Sequence, residues 1–222
     1  NPMVPVSFYL LSLLAIAMLL FLFRRDRKII SRLLTGLLIW FVYLIILAQT
    51  DVLKNFELPP RIPLLVVIPA TVLLLILVNS QLMKQTIRNT PLFLPIVLQS
   101  FRVLVELLIY ATYQKSVFPK RATFEGLNFD ILVGLSAIVV GVAVAKGLIR
   151  RRGILLWNIA AMCILALTVY SFISAYYWSD FGASAVRLRF VEFPYLLLPS
   201  VLLPTAIFLH IFSLKQVTRN TV

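Results

Sequence analysis

Seven stretches of this chain are apolar for about twenty residues each: roughly 4–23, 30–50, 62–80, 91–113, 129–149, 153–175 and 193–213. A bilayer's hydrocarbon core takes about 20 apolar residues wound as helix, and no water reaches it to bond an open backbone. The runs do not alternate polar with apolar residues, which argues against a membrane β-barrel. The joins between them are short, and the longest, 114–128, is too small to fold alone. The expected fold is all-α, a polytopic membrane bundle of seven transmembrane helices in a single domain over 1–222.

The chain carries 21 Lys and Arg against 8 Asp and Glu, a formal net charge of +13. Such an excess can mark a nucleic-acid binder, but its placement here marks an orientation. The first, third and fifth joins and the C-terminal tail hold thirteen of the 21 basic residues, including Arg24, Arg25, Arg150 and Arg151. The other joins hold seven, and Arg102 is the last. The positive-inside rule then places the N-terminus outside and the C-terminus in the cytoplasm, with lipid as the partner and no nucleic acid. Basic residues follow the first apolar run and none precedes it, so an uncleaved span is expected. Cys163 is the only cysteine, which excludes an intrachain disulfide and a cysteine-rich metal site.

Two pairs of segments suggest a duplication. "TGLLIW" (35–40) and "RGILLW" (152–157) each open a helix after a basic join. "KQTIRNT" (84–90) and "KQVTRNT" (215–221) each close one. The first pair equates Trp40 with Trp157; the second equates Lys84 with Lys215, Pro63 with Pro194 and Asn79 with His210. The expectation is a parallel 3+1+3 repeat: a first triplet over 1–90, a linker helix and outer loop over 91–128, and a second triplet over 129–222. In architecture this resembles the SWEET and PQ-loop sugar transporters. The segments "TFEGLNFDILVG" (123–134), "FRVLVE" (101–106) and "LHIFSLKQ" (209–216) are similar to those of a group of uncharacterised bacterial integral membrane proteins. That resemblance implies residence in the bacterial inner membrane and carries no activity. Seven helices with an outer N-terminus also describe the microbial rhodopsins, but "LPSVLLPTAIFLH" (198–210) lacks the lysine a retinal needs.

The fourth span holds the unusual residues. Gln99, Arg102, Glu106 and Tyr110 follow one another by three, four and four, so they share one helical face. A lone charge near the bilayer centre costs about 2.5–3.5 kcal/mol or more, so this face is expected to turn away from lipid. At i, i+4 spacing Arg102 and Glu106 are expected to pair. Two readings stand: an ion pair that locks the helix, or a ligand site in which Arg102 takes an anionic or carbonyl group and Glu106 a cation or proton.

Other polar residues fall at the two mouths of the bundle. Glu125, Asn128 and Asp130 are read as an outer vestibule, or as caps of the fifth helix beside a Gly126 turn of positive φ. Asn79, Asn158 and His210 are read as an inner mouth. Pro199 and Pro204 interrupt the last span and free the carbonyls of Tyr195 and Ser200. Gly134, Ala137, Gly141 and Ala145 form a small-residue stripe for close helix packing, within the chain or in a homo-oligomer. No metal site, cofactor site or enzyme constellation is found, so the chain is not expected to be an enzyme. The leading expectation is movement of a small-molecule solute through the central polar site by alternating access; the rival is a ligand-sensing or accessory membrane protein.

Orientation is directly testable. Reporters active only in the periplasm or only in the cytoplasm, fused after residues 118 and 222, are expected to report outside and inside respectively. A periplasmic signal at the C-terminus would reverse the orientation.

Overall fold

Helix is the one structure that bonds an apolar backbone to itself, and apolar runs of this length adopt it throughout. In the computed structural model, which describes residues 3–179 and 186–218, the chain is all-α with no strand among the described residues. Helix α1 is Met3–Leu22 and α2 is Arg27–Gln49. A π-helical turn, Pro63–Val67, leads into α3, Ile68–Asn79, followed by α4, Gln81–Asn89. Then come α5, Phe93–Leu98, α6, Phe101–Tyr113, α7, Asp130–Ala145, and α8, Arg151–Tyr177. A short α9, Val186–Phe190, precedes a second π-helical turn, Leu198–Leu202, and α10, Leu203–Thr218.

Five of these stretches are long and apolar enough to cross a membrane: α1, α2, α5–α6 as Phe93–Tyr113, α8, and the last as Leu198–Thr218. A sixth is gained if Pro63–Asn79 and α4 count as one span, although they meet at a 76° bend. The remaining expected span, 129–149, is shorter than the sequence suggests. It runs 16 residues as α7, about 24 Å at 1.5 Å per residue. The distribution of polarity agrees with lipid as solvent. Leu38, Ile39, Ile76 and Val139 are exposed, whereas Arg102, Glu106, Asp130 and His210 are buried. Water would favour the reverse. The apolar helices point to a multi-pass membrane protein.

Helix α7 is short because the join before it folds back into the bundle. Gly134 packs against Val103 and Gly141 against Val97, so α7 runs antiparallel along α5 and α6. Its first turn lies beside Arg102 and does not reach up to Tyr113. Residues Val117, Phe118, Ala122, Thr123 and Asn128 of the join are all buried. Irregular backbone at this depth needs protein around it, and the join bonds to itself. Thr123 O accepts from Gly126 N at 2.9 Å and Asn128 N at 3.3 Å, and Arg121 O accepts from Leu127 N at 3.0 Å. Gly126 is required by this closeness. A Cβ there would meet the Lys120 and Arg121 backbone at 2.6 Å. Its φ is not positive, contrary to the expected turn; Gly147 and Ser116 hold the positive values among the described residues.

The stripe Gly134, Ala137 and Gly141 is buried against the chain's own α5 and α6. Close packing is used within the chain at these three positions, whereas Ala145, the fourth of the stripe, is exposed.

Both π-helical turns are seats of proline, and they pack against each other. Pro69 and Pro204 have no N–H, which frees the carbonyls of Leu65 and Ser200. Helix α2 supplies both missing donors from one face. Tyr43 Oη donates to Leu65 O at 2.8 Å and Trp40 Nε1 donates to Ser200 O at 3.0 Å. The Tyr195 carbonyl, freed by Pro199, accepts from Leu198 N at 3.0 Å.

The equivalences expected of the duplication do not share an environment, and the two π-helical turns, 135 residues apart, fall outside the register that equates Pro63 with Pro194. Trp40 lies beside Ser200, whereas Trp157 lies beside His210, the rings tilted at 47° with centroids 5.6 Å apart. Those two levels differ by about 15 Å along the last helix. Lys84 follows the 76° bend, whereas Lys215 continues a straight α10. The segment 186–190 forms α9, whose Phe190 is buried; residues 180–185 lie outside the described residues.

The buried join makes a specific prediction. Gly126→Ala must displace backbone and is expected to cost about 1–3 kcal/mol, read as a lower melting temperature in detergent. Gly36→Ala, where a Cβ meets nothing within 4 Å, is expected to leave melting unchanged. Equal melting of the two variants would place the 114–128 join outside the bundle.

Candidate functional site

Four segments bring polar side chains to one buried place: α6 with Arg102 and Glu106, the start of α7 with Asn128 and Asp130, α8 with Asn158 and Thr168, and α10 with His210 and Ser213. All of these residues are buried. The partner of Arg102 is not the one expected from helical spacing. Asp130 takes the guanidinium in a two-pronged ion pair. Arg102 Nε donates to Asp130 Oδ2 at 2.6 Å, and Nη2 donates to Asp130 Oδ1. Such a fork satisfies two donors at once and fixes the orientation of both groups. No ion pair joins Arg102 to Glu106 among the described residues.

A third guanidinium bond fixes the state of the only histidine. Arg102 Nη1 lies 2.9 Å from His210 Nε2. Guanidinium has no acceptor, so Nε2 accepts and the ring is neutral, with its hydrogen on Nδ1. Nδ1 then donates to Asn158 Oδ1 at 2.9 Å. Asn158 Nδ2 donates onward to Ser213 Oγ at 3.0 Å and Ile154 O at 2.9 Å. His210 and Asn158, expected at an inner mouth, therefore belong to the same network as Arg102. Asn79 does not. It is exposed, and its Oδ1 accepts from Lys215 Nζ.

Asn128 and Asp130 are likewise central and do not line an outer vestibule. Asn128 uses its whole amide. Its Nδ2 donates to Glu106 Oε1 at 2.8 Å and Ala122 O at 3.0 Å. Its Oδ1 accepts from Thr168 Oγ1 at 2.7 Å and from Asp130 N at 3.1 Å. The last bond closes the first turn of α7, so the expected capping role is present in Asn128. Glu125 stays at the surface. It accepts from Tyr110 Oη at 3.0 Å and pairs with Lys120 at 3.5 Å. Tyr110, expected in the central site, stacks on Phe124 at that surface, ring centroids 4.7 Å apart. Gln99 is buried beside α10 and donates to Ala206 O at 3.0 Å.

A cavity of about 80 Å³ adjoins the network, with Arg102, Glu106, Asp130 and Thr168 on its polar wall. The rest of the wall is apolar and aromatic, including Phe101, Phe172, Tyr177 and Phe190. Both π-helical turns reach it, through Pro63 and Pro199. Glu106 Oε2 is buried without a hydrogen-bond partner. Gln99 Oε1 is also unpartnered, but Gln99 does not line the cavity. An acceptor buried unpaired costs about 1–3 kcal/mol, and more if charged. The arrangement can therefore bind a small guest that presents a donor to Glu106.

Sequence reasoning missed Asp130 as the partner of Arg102. Thr168 of α8 also reaches the network, donating to Asn128 Oδ1 at 2.7 Å. No group of three or more His, Cys, Asp and Glu side chains able to hold a metal occurs among the described residues. No protein-family model, curated protein or solved structure matches the chain.

The pairing predicts unequal effects of two neutralising substitutions. Asp130→Asn leaves a buried guanidinium uncompensated and is expected to cost about 3–5 kcal/mol. Arg102→Met with Asp130→Leu is expected to recover much of that loss. Glu106→Gln leaves the ion pair whole and is expected to change stability by about 1 kcal/mol or less. Melting temperatures in detergent check the series. Equal losses for Asp130→Asn and Glu106→Gln would mean that Glu106 also balances Arg102.

Proposed function

We propose that the chain is a bacterial inner-membrane protein that binds a small solute at the Arg102–Glu106–Asp130 cavity and moves it across the bilayer by alternating access. The observation that carries this reading is the unpartnered Glu106 oxygen beside a cavity among helices long and apolar enough to cross a membrane. A polar group held open at such a place is costly unless a guest meets it. The wall draws on both halves of the chain, Ile62, Pro63 and Val67 from the first, and Leu165, Thr168 and Pro199 from the second. Solute sites in transporters commonly sit where helices are interrupted, and the two π-helical turns meet here.

On this reading α7 is a seventh crossing, completed by the buried join before it. The basic joins set the N-terminus outside and the C-terminus in the cytoplasm. Bacterial residence rests on the resemblance of the 123–134 segment. The two π-helical turns that meet at the cavity would move against each other as the site opens to alternate sides.

The test uses a single cysteine. Thr168→Cys, in a Cys163→Ser background, puts a thiol on the cavity wall. A small charged methanethiosulfonate reagent is expected to label it from either side of oriented, sealed vesicles. Labelling from one side only would support a sensor, and labelling from neither would refute an accessible site.

A further inference from the structure

The network contains one guanidinium and two carboxyl groups. Asp130 matches the guanidinium through both oxygens. Glu106 is then left without a cation of its own. Its Oε1 is held by Asn128, whose remaining capacity is spent on Ala122 O, Thr168 and Asp130 N. Its Oε2 has nothing, and the residue lines the cavity. The ionisable groups that face Glu106 are few. They are Arg102 on its own helix, Asp130 on α7 and Tyr177 on α8, all in the cavity wall, with neutral His210 behind Arg102 on α10. None of them supplies a free positive charge.

We infer that the cavity takes a small organic monocation, a primary ammonium with a short apolar body, and that this cation and a proton occupy Glu106 in alternation. The inference rests on the proposed solute site and names the chemistry of its guest. A buried carboxylate without a cation is expensive, so the empty site holds a proton there. An ammonium entering the cavity replaces it. The exchange balances: the Glu106 O–H bond breaks, the proton leaves to water, and the carboxylate accepts an N–H of the ammonium. Arg102 does not repel the guest strongly, because Asp130 already matches its charge.

The rest of the wall selects an organic cation over a bare metal ion. A metal ion needs several oxygen ligands, commonly six or more for calcium. The cavity offers one free carboxylate oxygen, and its other oxygen-bearing groups are committed. Phe101, Phe172, Tyr177 and Phe190 offer aromatic surface, which attracts an alkylammonium and covers its apolar body. A volume of about 80 Å³ limits that body to a few carbons.

The probe is n-propylammonium, with n-propanol and propionate as neutral and anionic counterparts, added to the purified full-length protein in detergent. Propylammonium is expected to raise the melting temperature and release close to one proton per protein into weak buffer. Its affinity is expected to rise about tenfold per pH unit while Glu106 is protonated in the empty protein, since each cation bound displaces one proton. Propanol and propionate are expected to release none. Glu106→Gln is expected to fold, since the Arg102–Asp130 pair is intact, and to lose both proton release and the pH dependence. Glu106→Asp is expected to retain them with weakened affinity. Three results would overturn the inference: binding without proton release, equal propylammonium affinity in Glu106→Gln, or tighter binding of propanol or propionate. Absence of propylammonium binding would also overturn it, and if the Thr168→Cys thiol is still labelled from both sides, the solute-site reading survives that failure.

Discussion

The Arg102–Asp130 ion pair sets the terms for the structure around it. Removing two charges from water costs several kcal/mol per ion, and attraction offsets that only when the geometry is good and the remaining donors are met. Here the carboxylate grips the guanidinium edge through both oxygens, and His210 takes a third N–H. Asp130 is also the first residue of α7, where unpaired backbone N–H groups and the helix dipole favour an anion. The pair therefore fixes where α7 begins. It forces the 114–128 join to bring the chain down to that level, and makes α7 shorter than a full crossing.

The same demand explains the small residues along α7. A carboxylate can grip a guanidinium in this way only if the two helices approach closely. At Gly134 an added Cβ would lie 2.7 Å from Val103 Cγ2 and 2.8 Å from Val103 N. At Gly141 it would lie 2.2 Å from Val97 Cγ2. Side chains there would separate α7 from α5 and α6 and open the ion pair to whatever filled the gap. The stripe is thus part of the polar site, although none of its atoms touches it.

The fold was more legible in the sequence than the site. Apolar length located the helices, and basic clusters marked many of their ends, because lipid constrains length and charge so strongly. The spacing of Gln99, Arg102 and Glu106 identified a buried face correctly. It misassigned the pairing, because spacing along one helix shows only that helix's own neighbours. Asp130 became the partner through a join that folds inward, and nothing local in "TFEGLNFD" states its depth. Tyr110 continued the helical face by number, yet α6 reaches the surface before that turn, where Glu125 meets it. Asn79 and His210 matched by alignment, but the 76° bend after Asn79 has no counterpart after His210. Pro199 and Pro204 were readable as freed carbonyls; Pro69 was not singled out, and that Tyr43 and Trp40 would answer the Leu65 and Ser200 carbonyls from α2 required the packing.

The direction of hydrogen bonding carries the last step. Arg102 can only donate, so the chain through His210, Asn158 and Ser213 runs one way, away from the cavity. On the opposite side Thr168 donates to Asn128, and Asn128 donates to Glu106, so that chain runs toward the cavity and ends on a carboxylate. Each intermediate member is committed by its neighbours, since Asn128 has no donor left and His210 no second hydrogen. The network therefore cannot relieve its one unmet acceptor by rotating an amide or shifting a tautomer, for either change would break a buried bond elsewhere. The deficit is confined to Glu106 Oε2. Relief has to come from outside the chain, as a proton or as a guest that brings its own donor.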